Sequence, residues 1–201
     1  MGKLMAGFLF LFLDFRINLG EFMTVSLLPE LIGFLCLFAG CAELCEESPR
    51  FSKLCPICIC MAVIKGILGI CNFIGLSAYV METFVGIIFS LALTAVAYYL
   101  TYQVIAGICD IEDANAFSLG TGNLKLFWLV LVISNATALL CGFFSFLLMI
   151  LFAIAVSAIA MLGFLFCFNS TRKNYFTMKD IKAKEKLYAL DKEAQAQNHE
   201  S

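Results

Sequence analysis

A single lysine interrupts one of the longest apolar runs of the chain. Between Cys55 and Leu76 the only charge is Lys65, which would sit near the bilayer centre if the run spans a membrane. A central lysine costs about 2.5–3.5 kcal/mol on insertion scales, so it needs a polar partner or a route to an interface. On a helix Cys58, Ala62, Lys65, Gly69 and Asn72 fall on one small, polar face, which predicts that Lys65 turns inward. Ser134, Asn135 and Thr137 lie at mid-depth of a later apolar stretch. The expected interior cluster is Lys65, Asn72 and Asn135. Its chemistry would be the holding of a substrate, an anion or a proton. The competing reading is a lysine satisfied by amides and carbonyls that locks helix packing, or one that snorkels.

Two further groups are candidates. Asp14, Arg16 and Glu30 form an expected interfacial polar group, either the entrance to a cavity or a solvated, orienting turn. Cys55-Pro56-Ile57-Cys58 is a C-x-x-C at an expected helix start, a spacing suited to reversible disulfide chemistry, so Cys55 and Cys58 are the candidate redox pair. The ten cysteines lie within or beside apolar stretches, where cysteine also serves as a small hydrophobe. The one histidine, His199, lies in the tail. No metal site, cofactor or catalytic residue is expected, and Asp110, Glu112 and Asp113 read as a solvated loop.

The elements that must carry these residues are membrane spans. Hydrophobic residues make up 62% of the 201-residue chain, charged residues 14%, and the mean hydropathy is +0.96. A soluble domain carries about 25% charge. At about 20 residues per span the length allows five or six spans and no separate soluble domain. The spans are expected at Leu4–Leu13 (short or re-entrant), Pro29–Leu44, Cys55–Leu76, Met81–Ile108, and a hairpin over Leu124–Phe168 that turns within about four residues of Gly142. Asp14, Phe15 and Arg16 follow the first run in place of a small-residue cleavage site, so it reads as part of the mature fold. Gly86, Ser90, Thr94 and Tyr98, like Ala153 and Ser157, recur every fourth residue as packing seams.

The fold class is therefore all-α, a polytopic helical bundle of six spans (five as the alternative) over residues 1–170, followed by a basic, helical tail over 171–201. With six spans, Lys3, Arg50, Lys53, Lys125 and the tail share one side, and Arg16 alone is opposite. That bias orients the chain with both ends in the cytoplasm.

The stretch Leu11-Phe12-Leu13-Asp14-Phe15-Arg16-Ile17-Asn18, then Leu28-Pro29-Glu30-Leu31-Ile32-Gly33-Phe34, then Ser48-Pro49-Arg50-Phe51 resembles the N-terminal pattern of a group of small multi-pass membrane proteins of Gram-positive bacteria. Glu30 stands where that pattern has Asp, and Phe34 where it has Tyr. The resemblance covers about the first 55 residues. It implies a bacterial cytoplasmic membrane, no known activity, and a unit formed by Asp14, Arg16, Pro29 and Gly33. The leading class is a small transporter, channel or transport accessory. The alternatives are an assembly protein packed on other membrane subunits or on its own copies, and a membrane thiol oxidoreductase. The expected partners are the bilayer and other membrane chains, not nucleic acid. A reporter active only in the cytoplasm, fused after Ser201, is expected to be active; activity of a periplasm-only reporter there would invert the orientation.

Overall fold

A computed structural model of the chain describes residues 1–12, 17–18, 24–25, 27–73, 84–143 and 147–199. The described residues form six helices: α1 (Gly2–Phe12), α2 (Leu27–Leu44), α3 (Pro49–Phe73), α4 (Phe84–Asn115), α5 (Thr121–Phe143) and α6 (Leu147–His199). Between α1 and α2 a two-residue antiparallel ladder pairs Ile17 with Val25 and Asn18 with Thr24. Over Pro49–Cys71, Ile88–Asn115, Thr121–Gly142 and Leu147–Lys192 the last four helices are long and apolar enough to cross a membrane. α1, at 11 residues, covers only about 16 Å.

Element boundaries move where polar side chains turn out to be partners. α3 begins at Pro49, six residues before the expected Cys55, because proline suits a first helical position and Ser48 caps it, its Oγ accepting the Arg50 N–H at 3.4 Å. α4 continues to Asn115. Asp110 and Glu112, expected in a loop, thus stand in its final turns. Asp110 accepts from Ser48 Oγ at 3.2 Å and Arg50 Nε at 2.5 Å, and Glu112 accepts both the N–H and the hydroxyl of Thr121 at the start of α5. The connection between them turns through Gly120, whose φ of +83° suits glycine. α5 is described to Phe143 and α6 from Leu147; the turn expected near Gly142 falls at residues 144–146, outside the described residues.

Neighbouring helices run antiparallel. Phe8 of α1 packs edge-on against Phe164 and Phe168 of α6. α1 lies so close to α2 that a Cβ on Gly40 would stand 2.8 Å from the backbone nitrogen of Leu4, and one on Gly7 2.9 Å from that of Leu37. The α1–α2 seam is thus glycine-lined and close at the backbone. On α4, Gly86 is buried while Ser90 and Thr94 are exposed. The outer surface is apolar: Leu148 is 83% exposed and Phe152 71%, the pattern of a face against hydrocarbon and not water.

Polar bonds collect at one pole. Lys3 pairs with Glu43 at 2.5 Å. Glu47, in the α2–α3 turn, accepts from Tyr175 Oη at 2.5 Å and pairs with Lys179 at 2.7 Å. Lys182 bonds Asn115. α6 passes residue 170 without a break, and Thr171, Tyr175 and Met178 of the basic tail are buried, so the first turns of that tail strap the other helix ends together.

Gly40→Ala is expected to destabilise the protein by about 1–3 kcal/mol through overpacking against Leu4. Gly142→Ala, where an added Cβ meets nothing within 4 Å, should be neutral or gain up to about 1 kcal/mol. Unfolding midpoints in detergent compare the two.

Candidate functional site

Lys65 faces inward and meets a carboxylate. Its Nζ lies 2.7 Å from Oε2 of Glu30, with both side chains largely sequestered. Glu30 belongs to the first turn of α2, where a carboxylate also complements the positive end of the helix dipole. Lys65 stands about 18 Å along α3 from Lys53, the last charge before it. Because α2 and α3 are antiparallel about Ser48, residues at nearly equal distances before and after it face each other.

The pair borders a cavity of about 160 Å³ reached by Leu11 and Phe12 of α1 and by Thr94, Tyr98 and Thr101 of α4. Thr101 and Thr94 donate their hydroxyl protons to the carbonyls of Ala97 and Ser90, each at 2.9 Å. Their oxygens remain as acceptors toward the cavity. The Tyr98 phenol has no hydrogen-bond partner among the described residues. The cavity thus offers a cation, an anion and hydroxyls in a low-dielectric wall, where charges act strongly on whatever enters. A proton delivered to Glu30 would cancel the pair and free Lys65. A solute with its own charge could exchange for either partner.

The expected grouping of Lys65 with Asn135 is not the one formed. Asn135 Nδ2 donates to Leu131 O at 2.8 Å and to Ser157 Oγ at 3.0 Å, so it ties α5 to α6. Asn135 lines a separate open groove of about 690 Å³ between α4 and α5, and Thr94 and Tyr98 border both spaces. Asn72 lies in α3, but its side chain, like all of Asp14 and Arg16, falls outside what is described. Glu30, grouped on sequence with Asp14 and Arg16, is the residue that sequence reasoning did not join to Lys65. The signal for it was the turn: Glu30 and Lys65 flank Ser48 almost symmetrically.

The cysteines also pair across helices. Cys55 Sγ stands 3.7 Å from Cys45 Sγ, and Cys45 donates to Cys41 O at 3.2 Å. Cys58 is buried against Cys41. All ten thiols are free. Cys55 therefore meets the thiol of Cys45, in the turn just after α2, across the α2–α3 hairpin.

No protein-family model matches the chain, nor does any curated protein or solved structure.

Removing one member of the ion pair leaves the other charge without its partner in an apolar wall. Lys65→Met and Glu30→Gln are each expected to cost about 3 kcal/mol, and the double variant less than the sum of the two. A double-mutant cycle on detergent unfolding measures this. Additive losses would show that the two side chains do not interact.

Proposed function

We propose that the chain is an integral membrane protein of the cytoplasmic membrane, and that it acts as a small transporter, channel or transport accessory through the Glu30–Lys65 site. One observation carries this reading: the ion pair borders a cavity inside an apolar bundle instead of being packed shut. Ionisable residues within spans are expensive to keep, and they mark ion and substrate pathways. A pair that served packing alone needs no open space beside it. A cavity against it leaves room for water or a small solute, and Tyr98, Thr94 and Thr101 offer that guest hydroxyl groups.

The orientation follows from the polar pole. Lys3, Arg50, Lys53, Lys125 and the basic turns of α6 all belong to helix ends on that side, so the rule that basic residues stay inside puts this pole in the cytoplasm. The N-terminal resemblance supports a bacterial membrane. A second reading, assembly with another membrane subunit, is supported by the open groove between α4 and α5, which a foreign helix or a lipid would fill.

Proteoliposomes carrying the full chain and a pH-sensitive dye, challenged in turn with gradients of H⁺, K⁺, Na⁺ and Cl⁻, are the test. At least one gradient should dissipate faster than in protein-free vesicles, and the Glu30→Gln/Lys65→Met double variant should lose most of that rate while its membrane abundance holds. Flux equal in the parent and the double variant would remove this site from the function.

A further inference from the structure

A second cavity, of about 530 Å³, opens between α3 and α4 at the polar pole, away from the Glu30–Lys65 site. We propose that it is a binding site for the phosphodiester headgroup of an anionic phospholipid. Arg50, Lys53 and Asp110 line its polar end, and Ile57 and Tyr99 its other end, with Gln103 between them. Because α3 and α4 run antiparallel, Arg50 lies opposite Asp110 while Ile57 lies toward Tyr99. The cleft is therefore graded from charged to apolar along the direction in which a lipid runs from headgroup to chain.

The charged end is already arranged for an anion. Asp110 holds Arg50 through Nε at 2.5 Å, and Gln103 Oε1 accepts from Nη1 at 3.5 Å. A guanidinium has five N–H donors, so two are engaged in fixing it and three remain for an outside acceptor. Lys53, one turn further along α3, has no ion-pair or hydrogen-bond partner among the described residues. The one carboxylate of the cleft, Asp110, is occupied by Arg50 and Ser48. It opposes an anion, but the two cations outnumber it. Planar guanidinium recognition of phosphate, with a free ammonium beside it, fits a phosphodiester. Basic pockets between helices at the cytoplasmic face are where such headgroups bind. The Tyr99 ring at the apolar end suits the interface between headgroup and chain.

The test uses the full chain, delipidated in detergent, with phosphatidylglycerol, phosphatidylcholine and inorganic phosphate as separate probes. Native mass spectrometry should show phosphatidylglycerol retained in preference to phosphatidylcholine, and millimolar inorganic phosphate should not displace it. Lys53→Gln should weaken the phosphatidylglycerol preference about fivefold, the effect of one basic residue near a membrane surface. Lys125→Gln, at the same pole but outside the cleft, should leave it unchanged. Circular dichroism of Lys53→Gln should match the parent, because Lys53 holds nothing else in place. Equal retention of the two lipids, an unchanged preference in Lys53→Gln, or an equal loss in Lys125→Gln would each overturn the proposal. Displacement by inorganic phosphate would assign the site to free phosphate and overturn the lipid assignment.

Discussion

A charge inside an apolar bundle has to find its counter-charge, and the pairing of Lys65 with Glu30 sets requirements that much of the fold meets. Glu30 reaches Lys65 only because α2 and α3 form a tight antiparallel hairpin about Ser48. That hairpin is fixed at its turn by Pro49, the Ser48 cap and the Asp110 carboxylate that ties α4 to both. The opposite wall of the cavity is α1, which comes close enough to contribute Leu11 and Phe12 because glycines line its contact with α2. Ion pair, glycine seam and capped turn are parts of one arrangement.

The bundle sorts its polar groups by depth. At the pole, side chains from most helix ends bond each other: Lys3 to Glu43, Glu47 to Tyr175 and Lys179, Arg50 to Asp110, Glu112 to Thr121. Deeper, hydroxyls of Thr94, Thr101, Ser134 and Thr137 bond the carbonyl four residues back on their own helix, the local solution available where no water competes. Between helices at depth, Glu30–Lys65 and Asn135–Ser157 are polar contacts among the described residues. The first leaves a cavity beside it, and the second holds α5 against α6. That difference separates a candidate site from a packing contact more clearly than residue type does.

The cysteines follow the same logic of neighbours. Four of them, small and weakly polar, meet in the α2–α3 contact, Cys45 with Cys55 and Cys41 with Cys58 across the hairpin. A C-x-x-C read along one helix draws attention to a sequence spacing. The sulfurs instead meet according to the register of two helices.

The sequence by itself determined the class of the protein. A chain with this apolar content must surround its backbone with internal hydrogen bonds, and helices do so within each segment; run length then dictates where they lie. It also located the deep lysine and its inward face, because a charge at that depth has few options. Partnership was decided by tertiary structure. Lys65 and Asn135 look equally deep along the chain, yet one meets Glu30 and the other Ser157, because helix register and rotation are set by contacts that composition does not encode. The acidic stretch from Asp110 read as a loop for the same reason. In the helix, Asp110 is bound by Arg50 and Ser48 and Glu112 by Thr121, all from outside α4.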